Sequence, residues 1–341
     1  MADAAAARWA VNVHDWEPGE AEWAYLLAQL PEDERERTCR FVFRDDQKRA
    51  LLSRLMQRRC CEELLGLARA AAAPISRTKG GKPFVTRAVS RPDSAPNFNY
   101  NVSHEGAWVV LASEPLLLVG VDVSAPRAAR ARRPRAPADA AEAPCGVAVA
   151  SPADHARDAK SVQQLFESMS GSLSAAEWAH VRSRGSERLQ EVCFRQLWSL
   201  KEAFIKARGD GLAFHPLSRI EFTLAPPLDA AHSDGGLGVD QAIVARASAD
   251  GCELRDWSFS LSALPADHWV SVARGPPDAA QDAWGEFART MAVPCLSDAA
   301  AAAAHAAPRG AWDIRSVAAV LPSELADGYA RARAIDSPPL S

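Results

Sequence analysis

The sequence predicts an α+β fold made of two halves of similar make-up, and three observations predict it. Helical-period segments followed by short alternating runs fill residues 8–124. The same order of helix, then strands able to pair antiparallel, recurs over 161–275. Between them lies 125–160, including APRAARARRPRAPADAAEAP, which is too low in complexity to bury a core and reads as disordered or as an inserted loop. Two such halves place a functional site between them.

The elements follow in order. RWAVNV (8–13) reads as a strand, and 20–30 as a helix with Trp23, Leu26, Leu27 and Leu30 on one face. A long amphipathic helix spans 45–69, with Leu51, Leu52, Leu55, Met56, Leu64 and Leu65 as its stripe. The loop RTKGGKPF (77–84) follows. FNYNVS (98–103), AWVVLAS (107–113) and LLLVGVDV (116–123) are strands, the last two joined at Glu114-Pro115. After the insertion come short helices at 162–168 and 174–184, then a long one through QLWSLKEAFIKARGDGL, then strands near 219–224, 242–247, 256–262 and 268–273. The Ala/Pro-rich stretch 276–341 has few aromatics and reads as a weakly ordered extension.

Composition narrows the function. With 341 residues, 48% hydrophobic and 24% charged, the chain reads as an ordinary globular protein. A net charge of −4 offers no global field for nucleic acid, so any anion site is local. The seven cysteines form no C-x-x-C pair and read as reduced thiols, and neither they nor the eight histidines show a zinc spacing. No stretch approaches the roughly 20 apolar residues of a membrane span, and the start does not read as a signal peptide. The expected location is the cytoplasm.

Several residues point to chemistry. In the long helix Leu197, Leu200, Ala203, Phe204 and Ala207 form an apolar arc, while Arg195, Ser199, Glu202 and Lys206 share the polar face. Lys201 falls inside the apolar arc, where a lysine is rarely buried without a partner. Glu202 and Lys206, at i and i+4, make either an exposed ion pair worth about 0.3–0.5 kcal/mol, or a metal-binding carboxylate with a phosphate-neutralising lysine one turn on. Asp122 ends the strand VGVDV and either caps the next turn or presents a carboxylate to a divalent cation. In NVSH (101–104), adjacent Ser103 and His104 cannot readily form a catalytic triad; an anion-binding histidine is the better functional reading. In RTKGGKP, Arg77, Lys79 and Lys82 surround two glycines that let a phosphate approach the backbone, although the loop is not a Walker A motif. Arg37 is one of several charges on the helix in PEDERERTCRFVF (31–43).

Taken together, N-V-S-H, V-G-V-D-V and W-S-L-K-E-A-F-I-K-A-x-G-x-G-L resemble the Sfp-type 4′-phosphopantetheinyl transferases. R-T-K-G-G-K-P-F and the opening RWAVNVHDW…AEW…RFVF resemble their single-chain eukaryotic branch, the aminoadipate-semialdehyde dehydrogenase phosphopantetheinyl transferases. The resemblance implies a pseudo-dimeric fold and Mg²⁺-dependent transfer of phosphopantetheine from coenzyme A to a serine of an apo carrier protein, releasing adenosine 3′,5′-bisphosphate. It implies that Asp122 and Glu202 bind Mg²⁺, and that Lys206 contacts the pyrophosphate and acts with Glu202, the candidate base, in catalysis. Arg37, the loop residues Arg77, Thr78, Lys79, Gly80, Gly81 and Lys82, and Asn101, Val102, Ser103 and His104 would hold coenzyme A. Ser124 stands where many bacterial members have a second acid, which implies a water in place of a third protein ligand. Lys201 is expected to pair inside the interface between the halves. Family members of this pseudo-dimeric kind are expected to be monomers, acting on carrier proteins and not on nucleic acid or membranes. A non-catalytic coenzyme A or carrier-protein binder that keeps the fold is the competing expectation.

Overall fold

A computed structural model describes residues 6–68, 72–127, 161–211, 216–224, 242–308 and 310–336. Of the insertion expected over 125–160, residues 128–160 fall outside the described residues.

The first strand, β1 (Arg8–Asn12), leads into helices α1 (Glu20–Ala28), α2 (Glu32–Cys39) and α3 (Arg44–Leu65). A small hairpin, β2 (Ile75–Arg77) and β3 (Pro83–Val85), then carries the glycine loop at its tip. Strands β4 (Asn99–Glu105), β5 (Trp108–Glu114) and β6 (Leu118–Ser124) follow. After the insertion come α4 (Val162–Ser168), α5 (Ala175–Arg182) and α6 (Glu187–Arg208). Strands β7 (Ile220–Leu224), β8 (Ala242–Ala249), β9 (Cys252–Glu253), β10 (Ser258–Leu264) and β11 (His268–Gly275) complete the expected set. The fold is therefore α+β.

Two sheets lie face to face. One has the order β12-β1-β5-β4, where β12 is Asp313–Ile314; the other runs β6-β11-β10-β8-β7, with β9 beside β8. Period-two alternation assigns the layers. On β1 and β5, Trp9, Val11, Val109 and Leu111 face α1 and α3. Their neighbours Ala10, Val110 and Ala112 face Val119, Val121, Val123, Val270 and Val272 of the second sheet. On that sheet's far side Phe222, Phe259 and Ala273 pack under Phe194, Leu197 and Phe204 of α6.

Helix α6 starts at Ser186, whose hydroxyl accepts from Leu189 N–H, and stops at Gly209, whose φ of 91° is a left-handed C-cap. It lies directly on β6, because a Cβ at Gly120 would sit 2.0 Å from the Ala203 carbonyl oxygen. That contact sets Glu202 beside Asp122.

The two sheets are also laced edge to edge by side chains. Alternate residues of β4 accept the outward main-chain N–H groups of β6: Asn99 Oδ1 from Val119 (3.0 Å), Asn101 Oδ1 from Val121 (2.9 Å) and Ser103 Oγ from Val123 (3.4 Å). Glu105 Oε2 takes the next, from Ala125 just beyond the strand (2.6 Å).

Three expectations need correction. The stretch 276–341 is not a weakly ordered extension where it is described. It forms α7 (Asp298–Ala306), β12 paired parallel to β1, and α8 (Ala326–Asp336), and it buries Phe287, Trp312, Val320, Leu321 and Tyr329. The Ala-rich composition hid a few large side chains that carry its packing. Asp336, at the end of α8, caps α1 by accepting from Ala21 (3.1 Å) and Glu22 N–H (2.8 Å).

Lys201 does not pair across the halves. It lies on α6 with 0% side-chain exposure, 2.7 Å from Glu177 of α5, and donates to the carbonyls of Leu217 and Ile220. The sequence showed a buried lysine; its acid comes from the neighbouring helix of the same core. Finally, Cys60, Cys61, Cys193, Cys252 and Cys295 are free thiols, whereas Cys39 is disulfide-bonded. Scattered positions along the chain do not bar approach in space.

Candidate active site

Where α6, β4, α3, α2 and the glycine hairpin meet, they line a cavity of about 560 Å³. That size suits a cofactor-sized ligand. Glu202 and Lys206 line it from α6, and Asn101, Val102 and His104 from β4. Arg77, Gly80, Gly81 and Lys82 come from the hairpin, and Arg37 from α2. Asp122, Ser103, Thr78 and Lys79 do not line it.

Asp122 and Ser103 instead lie behind the floor, bonded to Lys206. Lys206 Nζ is 2.5 Å from Asp122 Oδ1 and donates at 2.9 Å to Ser103 Oγ, and Ser103 in turn donates to the same Asp122 oxygen at 3.0 Å. Asp122 is 6% exposed. Burial raises its carboxyl above the usual range, against the pull of Lys206. Glu202 is raised too, first by burial and then by the Asp122 charge, with Lys206 opposing. Two crowded carboxylates share one ammonium, so the floor favours additional positive charge.

The opposite wall has the reverse imbalance. Arg54, which the sequence reading missed, lines the cavity with Ser53 and Gln57 from one face of α3. Burial lowers its guanidinium, Glu34 opposes, and Arg77, Arg58 and Arg37 lower it further. Such a cluster of cations calls for an anion. His104 is exposed at the cavity rim. Partial desolvation, with the charges of Arg49 and Lys206, lowers its imidazole below the ordinary value. At neutral pH it offers a hydrogen bond, not a charge.

The glycine loop is placed differently from a simple row of phosphate-facing cations. Thr78 is buried and braces the loop: its hydroxyl accepts from Lys82 N–H (3.1 Å), its carbonyl from Gly81 (2.9 Å). Lys79 is exposed. Lys82 is 4% exposed, and its ammonium donates to the main-chain carbonyls of Val119 (2.6 Å) and Lys206 (3.1 Å) over the Phe287 ring. Burial without a carboxylate partner pushes it down to about 7. Lys82 thus ties β6 to the last turn of α6.

Gly80 interlocks with the end of that helix: a Cβ there would lie 2.2 Å from the Gly209 carbonyl and 2.8 Å from Gly211 nitrogen. Gly80→Ala is therefore expected to push the hairpin off α6, costing about 1–3 kcal/mol as an overpacked site does. Thermal unfolding reads the stability loss, and a coenzyme A titration reads the widened cavity as weaker binding. Wild-type behaviour in both would contradict the interlock.

With this geometry in view, two family models match the chain: the N-terminal domain of the 4′-phosphopantetheinyl transferases over residues 14–116, and the 4′-phosphopantetheinyl transferase superfamily over 145–241. The chain belongs to the 4′-phosphopantetheinyl transferase superfamily, a family of enzymes. It is 34% identical over 274 residues to the human L-aminoadipate-semialdehyde dehydrogenase-phosphopantetheinyl transferase, covering 80% of this chain and 75% of that one. A phosphopantetheinyl transferase from Thraustochytrium is 33% identical over 276 residues, covering 79% and 78%. A 4′-phosphopantetheinyl transferase of Bacillus subtilis is 27% identical over 217 residues, covering 63% and 72%.

Proposed function

We propose that this chain transfers 4′-phosphopantetheine from coenzyme A to a serine of an apo carrier protein, with Mg²⁺, releasing adenosine 3′,5′-bisphosphate. The observation that carries this reading is the charge layout of one cavity: guanidinium groups on the α2, α3 and hairpin wall, and Glu202 on the floor with Asp122 close behind it.

The floor fits a hard divalent cation. Among the described residues no group of three or more His, Cys, Asp or Glu could hold a metal. Mg²⁺, however, takes one or two carboxylates and completes its octahedron with phosphate oxygens and water. Asp122 and Glu202, both raised and both short of positive charge, would hold it. When bound, it would neutralise pyrophosphate charge during displacement at phosphorus.

The chain's own residues do the rest. Arg37, Arg54 and Arg77 bind the coenzyme's phosphates, while Gly80 and Gly81 let it approach the backbone. Lys206 neutralises charge as the bond to the departing adenosine bisphosphate breaks. Glu202, half-buried and raised, accepts the proton of the serine hydroxyl as its oxygen bonds to phosphorus. We further read the fold as two related halves, 8–124 and 161–275, working as a cytoplasmic monomer without nucleic acid or membrane partners. No helix among the described residues is long and apolar enough to cross a membrane.

The test incubates the protein with coenzyme A, Mg²⁺ and an apo acyl carrier protein and weighs the carrier by mass spectrometry. The expected result is a gain of one phosphopantetheine arm, lost on chelation of the metal. Coenzyme A binding without any gain would overturn the transferase reading in favour of a non-catalytic binder.

A further inference from the structure

The motif NYNVSHE of β4 contains more than a coenzyme contact. Its alternate residues Asn99, Asn101, Ser103 and Glu105 each accept a main-chain N–H exactly once from Val119, Val121, Val123 and Ala125. β6 is an edge strand of its sheet and β4 an edge strand of the other, so these N–H groups have no strand partner on that side. Left bare in a buried position, each would be an unsatisfied donor that destabilises the fold. The two central rungs flank Asp122. Asn101 accepts from the residue before it and Ser103 from the residue after, and Ser103 also donates to its Oδ1 at 3.0 Å. From the other side Ser199 of α6, 0% exposed, donates to the Asp122 carbonyl at 3.0 Å.

We propose that Asn101 and Ser103 are positioning residues for Asp122: through the β6 main chain and the Ser103 hydroxyl they fix its carboxylate toward the cation, rather than serving chiefly as contacts to coenzyme A. The inference rests on the transferase reading, in which Asp122 holds Mg²⁺. Its logic is geometric. The pleat turns every second side chain of β4 toward β6, and the rungs recur at the same period as the N–H groups they meet. A slip of one residue would present Val102 and His104 instead, neither of which matches the observed acceptors. Asn101 is 3% and Ser103 6% exposed, as expected of groups committed to the protein's own backbone. Outer groups that orient a metal ligand typically change metal affinity about 10–100-fold when removed.

The experiment uses the full chain with Asn101→Leu, Ser103→Ala and Ser103→Thr. Calorimetry measures coenzyme A affinity in EDTA, then Mg²⁺ affinity with coenzyme A saturating. Expected are losses of about 10–100-fold in Mg²⁺ affinity for Asn101→Leu and Ser103→Ala, with metal-free coenzyme A affinity unchanged for Ser103→Ala, outside the cavity lining, and falling less than Mg²⁺ affinity for Asn101→Leu, within it. Ser103→Thr, which keeps the hydroxyl, restores Mg²⁺ affinity. Should Asn101→Leu fail to fold by near-ultraviolet circular dichroism, the Ser103 pair decides alone. An equal fall in metal-free coenzyme A affinity would make these residues direct coenzyme contacts and overturn the proposal. Unchanged Mg²⁺ affinity, or a Ser103→Thr variant no better than Ser103→Ala, would overturn it as well. Failure of the unaltered protein to bind coenzyme A or Mg²⁺ at all would instead overturn the transferase reading beneath it.

Discussion

Replacing Glu202 by glutamine is expected to slow transfer at saturating coenzyme A by about 10²–10⁴-fold, the range a positioned general base supplies. Shape and packing on α6 are kept, so the loss is chemical. The same change removes a carboxylate that burial, and then the neighbouring Asp122 charge, have raised. Folding stability should therefore hold or rise, because a neutral amide ends a repulsion that the fold tolerates. Steady-state kinetics against carrier protein read the first effect, and urea unfolding the second. Full activity in this variant would remove Glu202 from both the base and the metal role. A fall in activity matched by a fall in stability would assign it to structure alone.

The largest stability effect is expected at Lys201. Lys201→Met should cost about 3–5 kcal/mol, as removing one partner of a buried ion pair does. The loss has identifiable parts. Glu177 would stay buried without its cation, though it still accepts from Phe222 N–H (2.9 Å) and Ser174 N–H (2.7 Å). The Ile220 carbonyl would lose its Lys201 donor, and the Leu217 carbonyl would keep only the Ile220 N–H. A Lys201→Met/Glu177→Leu double variant removes the stranded charge and should recover part of the loss. It should not recover all of it, because the Ile220 carbonyl and the Phe222 N–H remain without these partners. Urea midpoints for the single and double variants check this. A single variant within the scatter of wild type would show that the pair contributes nothing.

These two helix residues also show how far the sequence could be read. Glu202 was legible because its motif fixes both residue type and spacing, and the structure brings it beside Asp122 and Lys206. Lys201 was legible as a misfit, since a lysine in an apolar arc needs a partner, but nothing in a linear pattern points to Glu177. Arg54 and Gln57 were not legible: on α3 they look like any polar face, and only the cavity distinguishes them. Lys82 shows the converse. Its charge beside two glycines reads as a phosphate contact, while the fold spends its ammonium on main-chain carbonyls. Asn101 and Ser103 stood out in the sequence as expected coenzyme A contacts, yet hydrogen bonds to a neighbouring strand leave no trace in motif spacing. The tail was misread because alanine dominates its composition, whereas Phe287, Trp312 and Tyr329 decide its packing.

That tail bears on how the protein is made. The first helix receives its N-terminal cap from Asp336, a partner 315 positions later, and β12 pairs with the opening strand. At ribosomal speeds of about 5–20 residues per second, roughly 15–60 s separate the emergence of α1 from that of its cap. During that interval the apolar faces later covered by Val320, Leu321 and Tyr329 stay open on the nascent chain. The early half is thus the last to be finished: its first helix is capped and its opening strand paired only once the final stretch has left the ribosome.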